Sequence, residues 1–254
     1  MLGCIIQARM GSSRLHGKVM MKVDGINPII YYVINQVKNS KYLEKIVVAT
    51  TDLKEDDIIE KYLKNLSIPY FRGKANDVLD RYYQCAKKFS FSEIVRITSD
   101  NPLIDPNIID SVIKKFLLSK CDYATNTLPR TFPYGTELEV FSFSALENAW
   151  TNAKLPSERE HVTPYIRKNK KKFRIENVTY SKDLSNFIWT VDRIEDLRLI
   201  QKIVSKIKNR PILLQDILQL FQNEPDLRKI NVESKPEEGY SKSLENDKKY
   251  FSNN

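Results

Sequence analysis

Cysteine is scarce in this chain of 254 residues: Cys4, Cys85 and Cys121 are the only three, with no CxxC pair and no histidine close by in sequence. A disulfide framework and a cysteine-built zinc site are therefore unsupported, and all three read as small core residues. Long apolar runs are missing too, since nothing approaches the roughly 18 consecutive apolar residues of a membrane-spanning helix. The segment Met1 to Arg9 lacks the basic region, longer apolar stretch and small-residue cleavage site of a secretory signal. These absences predict a soluble, cytoplasmic protein with no membrane partner. Glycine is rare as well, with seven in all, yet Gly3, Gly11, Gly17 and Gly25 crowd the N-terminus.

What is present is length and charge. The residues are 41% hydrophobic and 29% charged, enough for one large domain or two small ones with a sizeable core. Lys and Arg number 41 against 32 Asp and Glu, a formal charge of +9 that favours an anionic partner such as a nucleotide, a phosphate or nucleic acid.

Short β-branched runs alternate with stretches of helical spacing, which predicts an α/β fold: a mostly parallel sheet with helices on both faces. In the first half, strands are expected at 3–8, 45–50, 69–71, 94–98 and 123–126. Helices are expected at 29–38, 55–66, 76–89 and after Asp105-Pro106, where Asp caps and Pro takes the first turn. The second half is less regular, with strands at 137–143, 173–180 and 187–191 and helices at 144–153, 157–169, 193–207 and 213–221. No Gly, Ser or Pro linker divides the chain, so residues 1–231 read as one domain. From Val232 onward the apolar density collapses, which predicts a loosely attached polar tail over 232–254.

The clustered glycines sit in Gln7-Ala8-Arg9-Met10-Gly11-Ser12-Ser13-Arg14-Leu15-His16-Gly17-Lys18, where no acid occurs before Asp24. Small residues let backbone amides approach a polyanion, and guanidinium and ammonium groups neutralise it. This loop suits a polyphosphate. It is not a Walker loop, because Gly11 and Gly17 enclose five residues and Val19 follows Lys18, and it lacks the dinucleotide pattern. Two further strands end at acids: Arg96-Ile97-Thr98-Ser99-Asp100-Asn101-Pro102, and Trp189-Thr190-Val191-Asp192 before Glu195. Asp100 is a candidate Mg²⁺ ligand. Asp105 reads as a helix cap, and by pattern alone so does Asp192, with Glu195 completing a capping box. Glu137 and Glu139 share one strand face, and Ser157 to Tyr165 holds one of two histidines. The basic run 167–174 reads as a solvated turn, with nucleic-acid binding a minor alternative.

The ordered set resembles the cytidylyltransferase family that includes the spore-coat protein SpsF and the acylneuraminate and 3-deoxy-manno-octulosonate cytidylyltransferases. The resemblance rests on Ile6 to Lys18, Val78 to Tyr82, Arg96 to Pro106, Glu158 to Tyr165, Trp189 to Asp192 and Glu195 to Leu197, and extends from Gly3 to about Ile207. It implies a Rossmann-like nucleotidyltransferase sheet that moves CMP from CTP to an acidic sugar, sugar phosphate or phosphonate and releases pyrophosphate. It also implies that Arg9, Arg14 and Lys18 bind phosphates, that Ala8, Gly11, Ser12, Ser13 and Ser99 lie against the nucleotide, and that Asp100 and Asp192 hold Mg²⁺. By the same resemblance Arg72, Asp77 and Arg81 would wall the base, while Glu137, Glu139, Arg159, Glu160 and His161 would face the acceptor. A homodimer formed through an inserted subregion at about 130–180 is a further implication. Two departures stand out: His16 where SpsF-like sequences usually show Pro, and Glu137 where relatives often carry aspartate. A nucleotide-sugar-dependent glycosyltransferase is the alternative enzyme.

Overall fold

The computed structural model describes residues 1–235 and 238–252. Seven strands form a single sheet in the order β3-β2-β1-β4-β6-β5-β7. They are β1 (Leu2–Gln7), β2 (Lys45–Thr51), β3 (Tyr70–Gly73), β4 (Glu93–Thr98), β5 (Tyr123–Thr125), β6 (Glu139–Ser142) and β7 (Ile175–Asn177). β1 pairs in parallel with β2 and β4, and β2 with β3; β6 runs antiparallel between β4 and β5, and β7 is parallel to β5. The expected mostly parallel α/β architecture is present.

The strands read as nearly unbroken apolar runs because both faces are covered, and their period of two divides side chains between two cores. Cys4, Ile6, Val48, Val95, Ile97 and Val140 face one core. Ile5, Val47, Ala49, Ile94, Tyr123 and Phe141 face the other. The first core is closed by α1 (Ile29–Val37), α2 (Asp57–Asn65), α4 (Pro106–Ser119), α8 (Ile194–Lys206) and α9 (Leu214–Asn223), and the second by α3 (Val78–Lys88), α5 (Phe143–Asn152) and α7 (Pro164–Lys168). Asp105 caps α4 as expected, accepting from Asn107 N at 2.7 Å. It also takes Leu214 N at 2.7 Å, which seats α9 against α4.

Three expectations are corrected. The helix expected at 157–169 is broken into α6 (Pro156–His161) and α7, because Val162 turns to φ 71° and Pro164, without an amide hydrogen, cannot extend the ladder. The 187–191 segment is extended but is not a strand; it forms one bridge, Tyr134 to Ile188, since Trp189 N donates to Tyr134 O and Val191 N to Asp100 O. Its apolar residues are buried under helices rather than by a ladder. The polar segment after Val232 is not a loose tail over its described part: Glu238–Ser252 form helix α10, seated on α6, with Asp247 buried and accepting from Ser157 N at 2.9 Å. Among the described residues no helix is long and apolar enough to cross a membrane.

Candidate active site

The site begins where β1 stops. Ala8 N still bonds to Ala49 O, after which the chain folds back so that Ser12 N and Gly17 N both donate to Met10 O, at 2.7 and 2.8 Å. Met10 N donates to Asp56 Oδ1 at 2.7 Å; Asp56 is fully buried and also accepts from Thr51, so it anchors the loop from beneath. Gly17 has φ 68°, a left-handed turn that glycine adopts without a Cβ penalty, and it opens the 3-10 turn Lys18–Met20. That turn aims Lys18 inward.

There the Lys18 ammonium meets Asp100, just past the end of β4, and Asp192, just before α8. Its Nζ is 2.8 Å from Asp100 Oδ2, 2.8 Å from Asp192 Oδ1 and 2.7 Å from Val191 O, while Arg14 Nη2 reaches Asp192 Oδ1 at 2.5 Å. Val191 N donates to Asp100 O at 2.9 Å, so the two acids are held together through the main chain. Burial by itself would raise the Asp100 carboxyl, but the adjacent ammonium outweighs it and holds the group below the usual carboxylate value. Burial likewise works against the Lys18 charge, and the two carboxylates overcome it, so Lys18 stays protonated. Asp192 is not the cap that its pattern suggests. Asp196 does that work, accepting from Asp192 N at 3.0 Å and Arg193 N at 2.8 Å, which leaves the Asp192 carboxylate to Lys18 and Arg14.

Arg14, Lys18 and Asp100 line a cavity of about 680 Å³, and Asp192 stands behind Arg14 and Lys18 rather than in its lining. Ala8, Arg9, Ser12, Ser13, Arg14, Lys18, Ser99 and Asp100 line one side, and Arg81, Arg159, Glu160 and His161 the other. Arg9 bridges the mouth to Glu160 at 2.8 Å. Arg81 is buried, with Nη2 donating to Lys74 O and Ala75 O at 2.9 and 3.0 Å. Asp77 caps α3 through Asp80 N at 2.9 Å and fixes Arg159, whose Nε lies 3.1 Å away, so it borders the cavity rather than lining it. Gly11 does not line it either. Arg72 is a correction: its guanidinium is taken up by Asp57 at 2.6 Å, Glu60 at 2.7 Å and the carbonyls of Thr51 and Leu53, away from the cleft.

A second cavity of about 420 Å³ shares Arg96, Thr98 and His161 with the first. Its floor is Glu139, buried and bonded to Arg96 Nη1 at 2.6 Å, Tyr123 Oη at 2.5 Å and the Thr163 hydroxyl. Burial would raise the Glu139 carboxyl; Arg96 and Arg167 reverse this and keep it low. Glu137 lines the same cavity from the turn before β6, where it accepts from Gly135 N and lies 3.6 Å from Arg130. There burial prevails and its carboxyl is pushed up. Burial and then the Arg96 and Arg167 charges push the His161 imidazole down to about 4, so it is neutral at pH 7. The residues that sequence reasoning missed are Asp56, Arg96, Arg130, Arg167 and the α10 face. Arg96 carried a signal, a charge inside the otherwise apolar run Ile94–Ile97 of β4.

The donor set suits Mg²⁺. Two hard carboxylates converge on one cationic point, and this ion takes one or two carboxylates together with substrate phosphates. Among the described residues no cluster of three or more His, Cys, Asp or Glu offers an all-protein cage.

The sequence profile described as "Cytidylyltransferase" matches residues 3–229. The chain is 38% identical over 230 residues to the uncharacterized protein MJ1063 of Methanocaldococcus jannaschii, covering 89% of this chain and 93% of that one. It is 31% identical to the spore coat polysaccharide biosynthesis protein SpsF of Bacillus subtilis, over 87% of this chain and 94% of that one. Among solved structures, a cytidylyltransferase from Leptospira borgpetersenii superposes with a TM-score of 0.85 at 35% identity, over 89% and 96% of the two chains.

Proposed function

The chain belongs to the cytidylyltransferase family and is a CTP-dependent nucleotidyltransferase; from that premise we propose that it uses Mg²⁺ to transfer CMP to an acidic sugar, sugar phosphate or phosphonate for surface glycoconjugate synthesis. The observation that carries this reading is Lys18, held between Asp100 and Asp192 at the floor of a cavity ringed by Arg9 and Arg14.

In this reading the triphosphate lies along the Arg9–Lys18 loop and draws Arg14 and Lys18 onto its own oxygens. An acceptor oxygen attacks the α-phosphorus in line; one O–P bond forms, the α–β bridge breaks, and pyrophosphate leaves with the electron pair. Asp100 and Asp192 would hold the metal, which when bound neutralises charge on the phosphate oxygens. Arg14 and Lys18 stabilise charge growing on the leaving pyrophosphate, so catalysis is chiefly positioning and electrostatics. The second cavity receives the acceptor. Arg96, Arg130 and Arg167 line it against Glu137 and Glu139, a balance that favours an anion bearing hydroxyl groups. An acceptor that attacks through a phosphate or carboxylate oxygen is already ionised and needs no base. A hydroxyl would need a base; neutral His161 borders both cavities but is a weak one, its imidazole being held down to about 4.

The test is pyrophosphate release with each of the four NTPs and Mg²⁺ against a panel of acidic sugars, sugar phosphates and phosphonates, with Asp100→Asn as the blank. CTP-selective release with one anionic acceptor is the expected result. Release that proceeds equally with a neutral sugar, or that is indifferent to chelation of the metal, overturns the acceptor class or the metal assignment respectively.

A further inference from the structure

Helix α10 lies outside the 3–229 stretch that the family profile matches, yet it lines the nucleotide cavity. The lining residues are Gly239, Lys242, Ser243 and Asn246, spaced i, i+3, i+4 and i+7, so they form one continuous stripe of the helix. A helix docked for structure alone would turn an apolar stripe inward. Here the inward stripe is polar, and Leu244 and Tyr250 are each 37% exposed. The helix is held by one aromatic pair, the Tyr240 ring edge-on to His161 with centroids 5.0 Å apart, and otherwise by polar contacts local to the site. Asp247 accepts from Ser157 N at 2.9 Å, Ser243 Oγ is 2.9 Å from His161 Nε2, and Glu238 pairs with Arg193 at 2.8 Å. At its start Gly239 packs against Arg14 of the phosphate loop, where an added Cβ would lie 3.4 Å from the guanidinium.

Charge pairing separates the cations of the lining: Lys154, like Lys242, makes no ion pair among the described residues, and Arg81 is taken up by the carbonyls of Lys74 and Ala75. Arg9, Arg14 and Lys18 each hold a carboxylate, whereas Lys242 makes no ion pair among the described residues and presents its charge to the cavity they share.

We propose that α10 is a CTP-responsive wall of the active site, with Lys242 contacting the anionic nucleotide and the helix tightening on the cleft when CTP binds. This rests on CTP occupying the Arg9–Lys18 cavity. A mostly polar segment gains the contacts it lacks from the ligand, so its ordering and nucleotide affinity are one linked equilibrium.

The experiment uses the full chain and two readouts. Calorimetry with CTP and Mg²⁺ compares wild type with Lys242→Ala, Lys242→Arg and Lys249→Ala, the last removing the same charge about two turns further along. Hydrogen exchange across 239–247 is followed with and without CTP. The expected result is a rise in CTP Kd of about tenfold for Lys242→Ala, the scale of a lost charged hydrogen bond, near-normal affinity for Lys242→Arg and Lys249→Ala, and slower exchange in α10 when CTP is added. Wild-type affinity in Lys242→Ala together with exchange in α10 that ignores CTP overturns the proposal while leaving the nucleotide site intact. Failure of the wild-type protein to bind CTP removes both this proposal and the reading beneath it.

Discussion

The two ends of the cleft are built by opposite means. At the phosphate end a single loop supplies Arg9, Ser12, Ser13, Arg14 and Lys18 within ten residues, and its cations are parked on carboxylates that they can exchange for ligand oxygens. At the acceptor end β4, β6, α6, α7 and α10 each give one or two side chains, and Glu139 is locked to Arg96, Tyr123 and Thr163. One end is a set of exchangeable pairs, and the other is a fixed buried network. Under the proposed function, a site divided in this way would keep the nucleotide chemistry constant while acceptor choice drifts through residues scattered along the chain.

The contrast can be broken most forcefully at the exchangeable end. Asp100→Asn and Asp192→Asn should each lower kcat by at least about 100-fold, the cost of losing a transition-state electrostatic contact, with melting temperature near that of wild type; near-normal turnover at limiting Mg²⁺ would refute the assignment. Removing a strut should act on stability instead. Asp196 accepts from Asp192 N, Arg193 N, Asn231 and Ser234, so Asp196→Ala should cost about 2–3 kcal/mol in chemical denaturation by leaving those donors unpaired.

A pH titration sharpens the acceptor end. The folded His161 imidazole sits at about 4 and its ordinary value is 6.5, so between these values the unfolded chain binds the extra proton. Stability should therefore fall as pH is lowered from about 6.5 toward 4, and His161→Gln should flatten that part of the profile. An unchanged slope would show that His161 is not held neutral. The smallest effect belongs to Arg72→Ala, which should leave the KM for CTP within about twofold of wild type because its partners lie outside the cleft. A large rise would return Arg72 to the base wall.

The phosphate end was legible because its chemistry is local. A glycine-bearing basic loop after a strand, and acids that end two later apolar runs, can be read as patterns without knowing the fold, although only the first of those runs is a strand. The sheet was legible for the same reason, since strands buried on both faces are visible as unbroken apolar runs. Asp192 shows where pattern misleads: a capping box could be drawn with Glu195, and only the structure shows that Asp196, one residue on, takes the amides. Arg72 fails similarly, because sequence cannot show that Asp57 and Glu60 on the neighbouring helix consume its charge. Helix α10 was invisible for a physical reason. Its composition is mostly polar, and the contacts that hold it are hydrogen bonds, ion pairs and one aromatic pair to residues some 45 to 90 positions away.

The bond from Val191 N to Asp100 O also bears on how the enzyme is made. The phosphate loop and Asp100 leave the ribosome early, but the partner that completes the acidic pair arrives more than ninety residues later. Closing so long a loop is among the slower contacts a chain makes, so a nascent chain can hold a formed sheet and still be without a working centre. On the proposed roles of Asp100 and Asp192, activity would be a late product of synthesis, and its onset during translation would report completion of the fold.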